Sequence, residues 1–171
     1  IAQESVLPAF ANAQNSRLAA LVSDDGVKLR ELSKKYGVEF AYDYDHYDEC
    51  LLSGEIDAVY IALPNDMHCD FAIRAAQAGV HVLCEKPMAV TEQECWRMIE
   101  TASACGTQLM IAYRLHFEEM HLNLLEMVRS GRIGEPKIFN SVFTMPVEDE
   151  DNIRLQIERG GGTLYDIGIY C

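Results

Sequence analysis

Short apolar runs alternating with longer amphipathic stretches set the rhythm of most of the chain. Val6, Leu7 and Phe10 predict a helix over residues 3–15, in which Pro8 is tolerated only near the first turn. "LAALVS", "VEFAY", "DAVYIALP", "VHVLCE" and "QLMIAY" read as buried strands. Between them lie helical patterns. "DDGVKLRELSKKYGV" is led by Asp24 and Asp25 and stopped by Gly37, and "YDECLLSGEI" is a shorter helix. "NDMHCDFAIRAAQAG" has Asn65 as N-cap and Gly79 as stop. Thr91 and Glu94 form a capping box for a helix running to Gly106, and "FEEMHLNLLEMVRSG" is the last long helix. Strands alternating with helices predict βαβ units, hence an α/β fold with a doubly wound, Rossmann-type parallel sheet covered on both faces. Such a sheet places its ligand at the carboxyl ends of the strands.

The rhythm breaks after Gly134. "PKIFNSVFTMPV" is longer, apolar on both alternating faces, and has no tight return to a helix. It predicts the first strand of a second, mainly antiparallel domain. The division expected is residues 1–115 for the first unit and 116–171 for the start of the second.

Composition narrows the class without naming a function. Among 171 residues, 49% are hydrophobic and 24% charged, which is enough for a sizeable core. The net charge of −13 provides no basic face for phosphate neutralisation, so no nucleic-acid partner is expected. An acidic surface also disfavours anionic membranes, and no apolar run approaches the length of a span. The six cysteines have neither CxxC nor disulfide-scaffold spacing, which predicts reduced thiols and a cytoplasmic location. The start at Ile1 and the stop at Cys171, just after a glycine-rich turn, are expected of a piece of a longer polypeptide.

Candidate chemistry gathers at two strand ends. "ALPND" and "EKPMA" close consecutive strands, and only the second carries a Glu85–Lys86 pair. Pro64 and Pro87 also read as ordinary loop punctuation, and Lys86 as a solvated loop charge. In "GGGTLYDIGIY", Thr163 and Asp166 have the spacing of a short capping box, and Tyr170 follows one turn later on the same face. A carboxylate and a phenol on one face suit acid–base chemistry, although Tyr170 also reads as a half-buried core aromatic. "HFEEMH" spaces its histidines five apart, so no metal site is expected. His81 reads as core, and His68, just beyond "ALPN", as a neighbour of the site. No complete GxGxxG is present, and Ala2 stands where such a loop would be passing into its helix. Ser23, at the end of the "LAALVS" strand, cannot act as the acid that holds a ribose 2′-hydroxyl. With Lys28 it can accept a 2′-phosphate, which favours NADP over NAD, although Asp24 argues the other way.

"AVYIALPNDMH", "AGVHVLCEKPMAVT", "LMIAYRLHFEEM", "SGRIGEP" and "GGGTLYDIGIY" together resemble the glucose–fructose oxidoreductase / inositol dehydrogenase / rhizopine-catabolism (Gfo/Idh/MocA) family. The resemblance runs in order through the whole chain, and is strongest to the glucose–fructose oxidoreductase and dihydrodiol dehydrogenase branch. It implies an N-terminally truncated dinucleotide-binding domain followed by the start of an α+β domain with a large, mainly antiparallel sheet, a nicotinamide cofactor (NADP, with NAD possible), and hydride transfer at a carbinol carbon of a sugar or cyclic diol. It also implies homodimers or homotetramers formed through the C-terminal sheet. Lys86 would sit beside the nicotinamide and the reacting hydroxyl, with Glu85 and Pro87 shaping the strand exit. Leu63, Pro64 and Asn65 would line the nicotinamide pocket, and Arg114 would lie near the cofactor at the domain junction. Tyr170 would donate the proton and Asp166 would contact substrate. A catalytically silent nucleotide-binding sensor of the same fold is the alternative, but it would be expected to lack the lysine or the proton donor.

The chemistry is energetically coherent. A phenol must gain about 3–4 kcal/mol to work near neutrality. One ammonium at about 4 Å supplies roughly 4 kcal/mol at an effective dielectric of 20. A carboxylate beside the phenol opposes this, so Asp166 is expected to turn towards substrate or its own helix start, with Lys86 nearer the phenol.

Overall fold

A computed structural model describes residues 1–171. All five strands predicted from the apolar runs form, and all pair in parallel. β1 (Ala20–Val22) pairs with β2 (Phe40–Tyr42), Leu21 opposite Ala41. β3 (Ala58–Ile61), β4 (His81–Cys84) and β5 (Leu109–Ile111) form a second ladder, with Ile61, Cys84 and Ile111 in one row. The ladder continues one step further, because Glu85 N–H donates to Ile61 C=O and Ala112 N–H to Cys84 C=O, each at 2.8 Å. The exits of β3, β4 and β5 therefore stand side by side at one end of the sheet.

The helices follow their sequence signals with two exceptions. α2 (Gly26–Tyr36) is capped by Asp25, whose carboxylate accepts from the Val27 and Lys28 amides, and it ends at Gly37 in the left-handed region. α3 (Tyr47–Leu52) is short. α5 (Glu92–Cys105) carries both halves of the Thr91–Glu94 capping box. α6 (Glu119–Arg129) leaves Met120, Leu122 and Leu124 exposed. The first exception is the N-terminal helix. It forms as a π turn over Ala2–Val6, a brief α1 (Leu7–Ala9) and a 3-10 turn over Phe10–Asn12. Pro8 has no N–H to donate four residues back, so the α ladder cannot run through it. The second exception is α4 (His68–Gln77), which is preceded by a 3-10 turn over Asn65–Met67 and is not capped by Asn65.

The core lies between β3, β4 and the helices α3, α4 and α5. Ala72, Ala75 and Ala76 of α4 are almost fully buried, and their small side chains let α5 approach closely. Tyr47 of α3 stacks on Phe71 of α4 at 4.8 Å between ring centroids, and Tyr44 meets the same ring edge-on. That cluster joins the two-stranded ladder to the three-stranded one. Correcting the sequence reading, His81 is exposed, with its Nδ1 accepting from the Gln108 amide.

The strand expected over "PKIFNSVFTMPV" does not form. Residues 135–149 have no ladder and their amides make no backbone hydrogen bond, while Ile138, Phe139 and Val142 are exposed. Apolar alternation gives such a segment a face to bury, but a strand also needs a ladder partner, and this segment pairs with none of the five strands.

Candidate active site

The β4 exit is built from residues with opposite demands. Cys84 is fully buried, and burial, with a smaller contribution from the Glu85 charge, pushes its thiol up to about 12, so it is not a nucleophile. Glu85 takes the Tyr60 hydroxyl on one carboxylate oxygen and the Lys86 amide, at 3.2 Å, on the other. Burial, reinforced by this carboxylate, holds the Tyr60 phenol well above its ordinary range. The Lys86–Pro87 peptide bond is cis.

Lys86 does not stand as a solvated charge. Its side chain is 12% exposed, and Nζ donates to Oδ1 and to the backbone carbonyl of Asp166, each at 2.7 Å. Nζ also lies 5.1 Å from the centre of the Tyr170 ring. Tyr170 packs in turn on Phe143 at 5.4 Å. The structure therefore brings Lys86, Asp166 and Tyr170 together, in an arrangement that differs from the one expected. Asp166 faces Lys86 rather than its own helix start, and the ammonium meets the ring face and makes no hydrogen bond with the phenol oxygen. A buried carboxylate must be paired, and that requirement outweighs a cation–π contact worth about 0.5–2 kcal/mol.

The capping box proposed for Thr163 and Asp166 is likewise absent. α7 (Thr163–Asp166) has Gly162 as its N-cap, and a separate 3-10 turn over Gly168–Tyr170 carries the tyrosine. A second cation shares the carboxylate, and no local pattern signalled it. Arg154 Nε lies 2.9 Å from Asp166 Oδ2, close enough for charge pairing although no N–H is aimed along a hydrogen bond.

The β3 exit is tied to the same segment. Asn65 Nδ2 donates to Gly160 C=O at 3.0 Å, and Asp66 faces Arg159 at 3.4 Å. Leu63 and Pro64 are half-buried on this exit. His68, expected to border the cofactor, is instead fully buried. Its ring bridges two exits, with Nδ1 2.9 Å from Pro87 C=O and Nε2 3.0 Å from Leu63 C=O. It braces the pocket from behind.

The remaining candidates lie apart from this cluster. Arg114 is exposed beyond β5 and paired with Glu118 at 2.9 Å. Ala2 lies in the N-terminal π turn, where its carbonyl accepts from the Leu7 amide. Ser23 and Lys28 meet at the β1 exit through Asp25, which donates its N–H to Ser23 Oγ and faces Lys28 Nζ at 3.4 Å. Arg30, overlooked in the sequence, reaches back to the same helix start, with Nη1 3.8 Å from where a Cβ on Gly26 would stand.

Chemically, the cluster offers a held ammonium, a balanced carboxylate and a phenol at the carboxyl end of a parallel sheet. Residues 1–113 match the model of the oxidoreductase family with an NAD-binding Rossmann fold (Gfo/Idh/MocA), and residues 121–171 match the C-terminal domain of that family. Oxidoreductase ORF334 of Rhizobium meliloti is 38% identical over 170 residues, which is 99% of this chain and 50% of that protein. Aldose–aldose oxidoreductase from Caulobacter crescentus, solved with glycerol, is similar at 37% identity and a TM-score of 0.88, over 99% of this chain and 51% of that one. A 3-ketoreductase from Actinomadura kijaniata, solved with NADP and TDP-benzene, gives 32% and 0.89, over 99% and 51%. The chain thus spans about half the length of the relatives it matches. With the parallel sheet and the strand-end cluster, these matches identify the chain as a member of the Gfo/Idh/MocA oxidoreductase family.

Proposed function

We propose that the protein is an NAD(P)-dependent oxidoreductase, using NADP(H) in preference, that moves hydride to or from a carbinol carbon of a sugar or cyclic diol. The observation that carries this reading is Lys86, fixed at the β4 exit by Asp166 with its ammonium against the Tyr170 ring. The strand exits fit a nicotinamide, because a parallel sheet presents half-buried Leu63 and Pro64 beside one oriented cation. Ser23, Lys28 and Arg30 at the β1 exit suit a ribose 2′-phosphate. The NADP complex of the related ketoreductase supports the same choice.

When bound, the nicotinamide supplies or takes the hydride. Lys86 then has a defined task. An ammonium has three N–H donors, and two are spent on Asp166, which leaves the third for the substrate oxygen. Directed there, it stabilises the negative charge that develops as a hydroxyl becomes a carbonyl or the reverse. Tyr170 gives or takes the hydroxyl proton, and Asp166 fixes the direction in which Lys86 points. The tie between Asn65 and Gly160 holds the two halves of the site in register.

The residue division 1–115 and 116–171, a cytoplasmic location and a homo-oligomer belong to the same reading. The six free cysteines support a reducing compartment, and the exposed Ile138, Phe139 and Val142 support burial of that segment against further structure. The test is Lys86→Met in the whole protein, assayed with NADP(H) and a panel of aldoses and cyclic diols. Turnover should fall by roughly 100-fold or more while NADPH binding, followed by fluorescence, persists. Arg154 still pairs with Asp166 in that variant, so the fold should survive. Wild-type turnover in Lys86→Met would refute the assignment.

A further inference from the structure

Asp166 is 7% exposed and has cations on both oxygens, Lys86 at 2.7 Å on Oδ1 and Arg154 at 2.9 Å on Oδ2. A carboxylate paired with Lys86 alone would oppose the ammonium's pull on a developing oxyanion. Two cations face this one carboxylate, so Asp166 is not left to cancel Lys86 alone. The backbone around Arg154 is built to keep it there. Asn152 Oδ1 accepts the Arg154 amide at 3.1 Å, and the Arg154 carbonyl accepts the Gly162 amide at 2.8 Å. A Cβ on Gly161 would lie 2.6–2.7 Å from the carbonyl oxygens of Ile153, Arg154 and Gln156, so only glycine lets this loop close so tightly. The triple glycine therefore brings the arginine loop onto the start of α7, where Asp166 lies.

We infer that Arg154 is a positioning residue of the active site, which occupies the second oxygen of Asp166 so that Lys86 keeps its positive charge available to substrate and Tyr170. It acts through Asp166 and does not itself touch the reacting atoms. This rests on the reading of Lys86 and Tyr170 as the reacting pair, and the test separates the two.

The whole protein is prepared with tyrosine labelled at 13Cζ as wild type, Arg154→Met, Arg154→Lys and Tyr170→Phe, the last identifying the Tyr170 resonance. Removing a nearby positive charge disfavours the phenolate, so Tyr170 should ionise at higher pH in Arg154→Met than in wild type, and Arg154→Lys should return it most of the way. With a sugar substrate, kcat of Arg154→Met should fall by about tenfold, equivalent to about 1.4 kcal/mol, with the KM for cofactor unchanged. An identical Tyr170 titration in Arg154→Met and wild type overturns the inference whatever turnover shows. A shifted titration that lysine does not restore, accompanied by lost thermal stability, also overturns it and leaves a purely structural role. Wild-type turnover in Tyr170→Phe refutes instead the proposed function, while the titration still decides the charge relation between Arg154 and Tyr170.

Discussion

Tyr60 shows how closely individual side chains at the strand exits depend on one another. Its phenol donates to Glu85, whose other oxygen receives the Lys86 amide, so a half-buried tyrosine helps to shape the exit that carries the lysine. Its proton is held more firmly in the folded protein than in an open chain, where a phenol titrates near 10. A group whose folded value is raised contributes fully below its unfolded value, and that stability is lost as pH rises. Stability should therefore decline as pH increases beyond about 10, with burial of Tyr47 and Tyr113 adding in the same direction. Tyr60→Phe should cost roughly 1–3 kcal/mol near neutrality by stripping Glu85 of a partner, and should flatten the alkaline decline. Urea midpoints measured between pH 7 and 11 test both. At this scale the sequence was informative where chemistry sat at a strand end, as with Lys86, and misleading where a local pattern offered a partner. Asp166 matched a capping spacing with Thr163, yet its partners are Lys86, 80 residues away, and Arg154. Pairings across such separations leave no periodic trace.

Among the elements, the strands and helices whose apolar period was unbroken formed where the pattern placed them. Two segments depart from their patterns. Pro8 breaks the ladder of the N-terminal helix, and residues 136–147 join none of the five strands. The triple-glycine turn behaves differently, because the sequence marked it as a turn but not the reason for glycine at its middle position. Gly161→Ala should force apart the 153–156 loop and α7, costing about 1–3 kcal/mol as overpacking against backbone. Hydrogen exchange localises the effect: the amides of Gly161 and Gly162, bonded to Gln156 and Arg154, should lose protection while β4 keeps its own. Unchanged protection at 161–162 would mean that the loop relaxes without strain.

Over the whole chain, stability is distributed very unevenly. β4 is hydrogen-bonded on both sides and sits against the α4–α5 pair, whereas no amide of residues 135–149 donates to a backbone carbonyl. In the 171-residue chain, amides of β4 should exchange last and those of 136–148 at nearly open-chain rates. The fold class was legible because βαβ alternation is a repeated, redundant signal. The site was half legible: its strand-end members and the neighbouring His68 occupy positions that the topology itself makes special, while Arg154, Arg159 and the bracing contacts of His68 depend on three-dimensional proximity.

The two bonds from Lys86 to Asp166 also impose an order of events in time. A chain leaving the ribosome presents the sheet-forming residues first, and domains fold as they emerge. Lys86 would then stand at a finished strand exit with no acceptor until residue 166 had been made and α7 had docked. Assembly of the reactive cluster is thus a late step, separate from assembly of the sheet, and a polypeptide halted in between would be folded around its core yet chemically silent.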